Sequence, residues 1–118
     1  ASVGSDDAVL NGVCARDARQ AVVVGARGTI FFTENAGSDW RPSRHESREH
    51  FYDVSFSGEG LRFGWAVGSN GAVLRSADGG QTWQPAAAKT AEQLIAVSSF
   101  SELAAAAVSG EGNVHFTT

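Results

Sequence analysis

The residue types that do chemistry crowd into one stretch, Arg41-Pro42-Ser43-Arg44-His45-Glu46-Ser47-Arg48-Glu49-His50. Two imidazoles and two carboxylates could hold a metal ion, but His45 and His50 stand five apart without a ligand spacing that metal sites use. A solvated connector of mixed sign is the stronger reading, and no metal is expected. As contact residues, Arg44, His45, Arg48, His50 and the nearby Tyr52 are the candidate partner-binding set, on position alone. Gly25-x-x-Gly28 is no phosphate loop, since no Lys-Ser/Thr pair follows it and no helix opens there. No cofactor is expected. The single cysteine, Cys14, lies between Val13 and Ala15 and reads as a small core side chain. Alone it makes neither an internal disulfide nor a cysteine zinc site. His115 reads as a buried, hydrogen-bonded strand residue rather than a ligand.

The rest of the composition narrows the field by exclusion. The 118 residues are 42% hydrophobic and 19% charged with a net charge of −4, which predicts one compact domain or part of a larger one. The longest apolar runs, such as Ala104–Val108, fall far short of the roughly 20 residues of a membrane span. No basic segment followed by an apolar one opens the chain, so no signal peptide is expected within it. An acidic chain without a basic stripe is a poor match for nucleic acid. Methionine is absent, which reads as a processed or excised segment.

The residues that position these groups repeat. Val24–Trp40 aligns without gaps on Val67–Trp83 at an offset of 43, and each copy runs on to a proline, Pro42 and Pro85. Ala107–Thr117 follows Ala66–Ser76 at an offset of 41 and stops short of the turn and its tryptophan. A period in the low forties marks propeller blades and some helical solenoids. Short apolar runs rich in Val and Phe, punctuated by glycines, favour strands. Ala86–Ala107 could support a helix by composition, but its alignment with the earlier copies favours strands. Strands are expected at Leu10–Ala15, Gln20–Gly25, Thr29–Thr33 and Trp40–Arg44, then at Phe51–Phe56, Phe63–Gly68, Ala72–Ser76 and Trp83–Ala87. A third set follows at Leu94–Phe100, Leu103–Val108 and Asn113–Thr117. Phe63 and Trp65 are expected to divide between the two faces of their strand. Four antiparallel strands per unit is blade anatomy. The expected fold is all-β: a partial propeller of about two and three-quarter blades. The blade units are about 10–45, 51–88 and 94–118 of a single segment, with 1–9 as a candidate closing strand.

Ser76-Ala77-Asp78-Gly79-Gly80-Gln81-Thr82-Trp83 fits the pattern Ser-x-Asp-x-Gly-x-Thr-Trp at every fixed position. It resembles the Asp-box, or BNR repeat, of sialidases and many other β-propellers. A diverged copy is Thr33-Glu34-Asn35-Ala36-Gly37-Ser38-Asp39-Trp40, where Asn35 and Asp39 replace the aspartate and threonine. The expected structural set is Ser76, Asp78, Gly80, Thr82 and Trp83 with Asn35, Gly37 and Trp40. Asp78 should accept turn amides, the glycines give backbone freedom, Thr82 bonds back across the turn, and Trp83 buries its ring between blades.

The run Gly64-Trp65-Ala66-Val67-Gly68-Ser69-Asn70-Gly71 leading into that box is more particular. It resembles the repeat of photosystem II assembly/stability factor-like proteins, most strongly over Phe51–Pro85. The resemblance implies a non-catalytic propeller acting as a protein-interaction or assembly module, with a protein partner and no catalytic residues. A carbohydrate-binding propeller is the alternative, with a glycan as ligand; a sialidase-like hydrolase fragment is the third reading. Sialidases need three arginines, a tyrosine–glutamate pair and an aspartate. Tyr52 is the only tyrosine, and no arginine spacing marks a triad. Asp-box relatives also imply a periplasmic or secreted setting. Since propellers close into rings of four to eight blades, completion is expected by a longer parent chain or by self-association.

Overall fold

The computed structural model describes residues 9–86, 90–101 and 104–117. The first sheet holds β1 (Leu10–Ala15), β2 (Ala21–Gly25), β3 (Ile30–Thr33) and β4 (Arg41–Pro42), antiparallel and in chain order. The second repeats it with β5 (Phe51–Ser57), β6 (Phe63–Gly68), β7 (Val73–Ser76) and β8 (Gln84–Ala86). The third orders β9 (Leu94–Ser99), β10 (Ala105–Ser109) and β11 (Val114–Thr117). Three meander sheets packed face to face in sequence make a partial propeller. The Ala86–Ala107 region, where alanine and glutamate also suit a helix, carries strands. The closing strand expected at 1–9 falls almost wholly outside the described residues, as does Ala87.

Both outer strands start one residue later than expected, and β4 also ends two residues early, at its proline, while β8 pairs on through Pro85 to Ala86. Pro42 and Pro85 bring no N–H to the ladder, and past Pro42 the backbone leaves its sheet. Arg44 there makes a parallel bridge to Thr82, with Arg44 N–H bonded to the Gln81 carbonyl at 2.9 Å.

Two apolar layers hold the sheets together. In the first, Val22, Val24, Ile30 and Phe32 meet Phe51, Val54, Phe56, Ala66, Leu74 and Trp83. In the second, Trp65, Val67 and Val73 meet Leu94, Ala105 and Ala107. Strand β6 feeds both layers, since its alternate residues face opposite sides. Phe63 and Trp65 therefore share a face, contrary to expectation: they are two residues apart on a structure of period two. Trp65 is buried and donates its Nε1–H to the Ser101 carbonyl at 2.9 Å, while Phe63 is half-buried beneath the Arg62 guanidinium.

The connectors are stitched down in the same way each time. The residue before each inner strand gives its carbonyl to the amide just past the second strand: Val9 to Ala26 at 2.9 Å, His50 to Ser69 at 2.8 Å, Gln93 to Gly110 at 2.9 Å. These bonds fix where each connector crosses the rim.

Candidate functional site

The second box closes on itself. Asp78 Oδ1 accepts the amides of Gln81 (3.1 Å) and Thr82 (3.0 Å) and the Ser76 hydroxyl (2.9 Å), and Oδ2 accepts the Thr82 hydroxyl at 2.5 Å. Ser76 Oγ in turn accepts Gly80 N–H at 2.9 Å. Gly80 has φ +94° and is buried; a Cβ there would sit 2.6 Å from Val22 of the first sheet. Trp83 donates Nε1–H to the Gly80 carbonyl at 3.0 Å and enters the first apolar layer. Ser43 also bonds that carbonyl, so the turn clasps the preceding connector.

The first box keeps the bonds around Asn35 with one polarity reversed and lacks the bond from the tryptophan, since Trp40 Nε1–H has no acceptor among the described residues. Asn35 Oδ1 accepts Asp39 N–H at 2.9 Å and the Thr33 hydroxyl at 3.0 Å, as Asp78 does. On the other side the roles switch: Asn35 Nδ2–H donates to Asp39 Oδ2 at 2.9 Å, where Thr82 donates to Asp78. The two departures from the pattern compensate each other. Asn35→Asp alone is expected to cost about 1–2 kcal/mol by setting two carboxylates against each other, and Asn35→Asp with Asp39→Thr to recover most of it. Urea unfolding of the parent, Asn35→Asp, Asp39→Thr and the double variant measures the coupling; additive effects would refute it.

Burial presses the Asp78 carboxyl upward, but the Thr82 hydroxyl and amide, the Ser76 hydroxyl and the Gln81 amide outweigh it and hold it below the usual range. Asp17 is lowered by the Arg19 and Gln20 amides, and Glu49 by the Ser69 hydroxyl and then the Asn70 amide. Carboxylates depressed on folding stabilise fully above their unfolded values of about 3.9–4.3. That contribution drains as pH falls through the folded values. The urea midpoint should decline gently below about pH 6.5, where the unfolded chain protonates His45 and the folded one resists it, and more steeply below about pH 5, where Asp78→Asn should flatten the slope; an unchanged low-pH slope in that variant would remove Asp78 from the account.

The five expected contact residues do not form one lining. Arg44 and His45 face a cleft of about 740 Å³ between residues 43–47 and Leu74, Trp83, Gln84 and Pro85. Arg48, His50 and Tyr52 are not part of its wall. Arg44, Arg48 and His50 are exposed and Tyr52 is half-buried. His45 is committed to the fold: Nδ1 accepts Ser47 N–H at 3.1 Å, which leaves Nε2–H to donate to the Gly28 carbonyl at 2.8 Å. Its ring stands edge-on to Phe51, and burial lowers its pKa against the opposing pull of the Gly28 bond. His50 Nδ1 accepts Arg27 N–H at 3.1 Å. Each histidine thus spends a ring nitrogen on a backbone amide. Among the described residues no three His, Cys, Asp or Glu side chains are grouped to hold a metal.

Glu49, weighed above only as one carboxylate of a metal site, and Glu92, which sequence reasoning passed over, do more for this rim. Glu49 accepts the Ser69 hydroxyl at 2.6 Å and Asn70 Nδ2–H at 2.9 Å; Glu92 accepts Asn113 Nδ2–H and pairs with His115 Nε2, both at 2.8 Å. They stand 43 apart, the same offset that aligns the boxes, and that spacing was the available signal. His115, expected to be buried and bonded, is half-buried and bonded to Glu92. Cys14 is half-buried against the first apolar layer.

Comparison with known proteins gives a consistent direction. The family model of the photosynthesis system II assembly factor YCF48 matches residues 39–114. A solved structure described as YCF48 bound to D1 peptide superposes with a TM-score of 0.79 at 25% identity, over 93% of this chain and 37% of that one. YCF48 from Cyanidioschyzon merolae gives 0.78 at 27% identity, over 94% and 37%. The chain thus spans little more than a third of the length of either. A search of curated proteins gave no match.

Proposed function

This chain belongs to the family of the photosystem II assembly factor YCF48, and from that premise we propose that it is a non-catalytic propeller segment acting as a protein-interaction, assembly-factor-like module. The observation that carries the reading is the superposition, over nearly the whole chain, on a YCF48 structure described as bound to D1 peptide. An extended peptide of a partner protein is the ligand class this favours. The blade units of the single segment are about 10–45, 51–88 and 94–118, and Ser76, Asp78, Gly80, Thr82, Trp83, Asn35, Gly37 and Trp40 serve structure.

Arg44, Arg48 and His50, with Tyr52 beside them, supply the contacts, and His45 holds the connector that presents them. The hydrolase reading is disfavoured because several arginines are spent elsewhere. Arg16 donates to the Leu61 and Gly60 carbonyls, and Arg62 and Arg75 lie over the rings of Phe63 and Trp65. The test is calorimetric titration of the chain with overlapping peptides tiling D1. Saturable binding of one tile or adjacent tiles is expected, weakened about tenfold or more, or about 1.4 kcal/mol, by Arg44→Glu with Arg48→Glu. Micromolar binding to one sugar class on a glycan array, with no peptide bound, would move the assignment to the lectin alternative. Turnover of a fluorogenic sialoside, lost in Tyr52→Phe, would move it to the hydrolase.

A further inference from the structure

The connector from the first sheet to the second alternates in what it does with its side chains. Ser43, His45, Ser47 and Glu49 are half-buried and turned to the protein. Ser43 and His45 bond the Gly80 and Gly28 carbonyls, and Glu49 holds the Ser69–Asn70 turn. Between them Arg44, Glu46 and Arg48 are exposed, and none of the three is in an ion pair among the described residues. Residues two apart on an extended chain share a face at a spacing of about 6.7 Å. The connector therefore presents a row of charges in the order plus, minus, plus. Arg44 and Glu46 stand on the wall of the cleft of about 740 Å³, with Leu74, Trp83 and Pro85 as its apolar floor.

The other side of the cleft is a strand edge. Trp83 N–H bonds the Arg44 carbonyl, while Gln84 and Ala86 pair with Arg75 and Val73 of β7. Backbone groups alternate between the two edges of a strand, so Trp83 and Pro85 turn theirs to the cleft. To continue the parallel bridge of Arg44 with Thr82, the next bond would need an N–H from Pro85, which has none. There the connector parts from β8 and the cleft opens. Among the described residues no backbone N–H across it reaches the Trp83 or Pro85 carbonyl. Unspent acceptors on a strand edge are a template for an incoming strand. We propose that the cleft takes an extended segment of the partner protein as an added strand, whose N–H groups donate to the Trp83 and Pro85 carbonyls and whose alternate side chains set acid, base, acid against Arg44, Glu46 and Arg48. The main chain supplies affinity and the alternating charges select the segment, while the apolar residues between them lie on the floor. The charge pattern reads the same in both directions, so it holds for either orientation of the segment. This rests on the reading that the ligand is an extended peptide, and adds where it lies and what it carries.

The probe is the capped peptide Thr-Glu-Leu-Lys-Leu-Glu-Thr, titrated into isotope-labelled chain and followed by amide shifts in NMR. Saturable shifts confined to the connector and the start of β8 are expected. Glu46→Arg should weaken this peptide about tenfold or more and make the version with Glu in place of its Lys the better ligand, a reversal that a damaged fold would not produce. N-methylation of one alternate set of the peptide's amides should abolish binding, and methylation of the other set should be tolerated, since only one set faces β8. Equal behaviour of the two methylated peptides, binding indifferent to Glu46→Arg, or shifts that map elsewhere would each overturn the proposal. Where a D1 tile still binds under any of those outcomes, the peptide-binding reading stands and only its place on the fold is lost. A chain that binds neither tile nor probe loses both.

Discussion

Trp83→Ala is expected to remove about 3–5 kcal/mol of stability, the range for deleting a buried aromatic side chain. The ring is 4% exposed and fills the layer between the first two sheets. It meets Phe56 edge to face with centroids 5.9 Å apart, and its Nε1–H closes the box turn on the Gly80 carbonyl. Deletion leaves a cavity between two sheets and takes one of its two donors from the Gly80 carbonyl. The backbone link from Trp83 N–H to the Arg44 carbonyl, at 2.8 Å, survives the substitution, so the loss reports the side chain. Trp40→Ala is the control: the same residue type at the same place in the repeat, half-buried and without a partner for its Nε1–H. It should cost less, about 1–2 kcal/mol on the area it covers. Urea unfolding followed by circular dichroism separates the two. Equal losses would show that the box tryptophan stabilises its own turn and not the contact between sheets.

That contrast also marks what the residues disclose by themselves. The offset of 43 and the alternation of Val, Phe and Gly place the inner and central strands to within one or two residues, because buried strands carry their period in their own side chains. Leu10–Ala15 and Phe63–Gly68 begin and end where the pattern puts them. Outer strands are less legible, since they hold only two and three residues and carry a proline each. The box glycines, the carboxylate and the tryptophan announce their bonds by type. The reversal between Asn35 and Asp39 does not, because each substitution taken alone looks like decay and only the bond between them shows the compensation.

The connector is the least legible part, and for a physical reason. Its histidines and glutamates look like a site because they are polar and close in sequence, yet their partners lie 17 to 23 residues away. His45 bonds the Gly28 carbonyl, His50 the Arg27 amide, and Glu49 the Ser69–Asn70 turn. No local spacing encodes those contacts. Arg44, Glu46 and Arg48 stay exposed on a connector whose histidines and Glu49 are held in place.

Gly68→Ala tests how tightly that connector is held. The glycine has φ −168°, an extended conformation open to any residue, so backbone freedom is not what selects it. Space does: a Cβ there would come 1.8 Å from the His50 carbonyl oxygen and 2.9 Å from the Phe51 Cα. That oxygen accepts Ser69 N–H, and Phe51 is a wholly buried member of the first apolar layer. The methyl must therefore push the connector outward, breaking one bond and unseating one ring, at an expected cost of about 1–3 kcal/mol or more. The third repeat shows what a side chain demands at this position. Ser109 stands where Gly68 does, and its hydroxyl donates to Glu92 at 3.3 Å while accepting the Asn113 amide at 3.2 Å. The Gln93 carbonyl still reaches Gly110 there, so the connector and its turn have changed together. Ser109→Ala should accordingly lose only those hydroxyl bonds, about 1 kcal/mol, and less than Gly68→Ala. A Gly68→Ala midpoint within about 0.5 kcal/mol of the parent would mean that the connector yields freely and that the His50–Ser69 bond does not fix the rim.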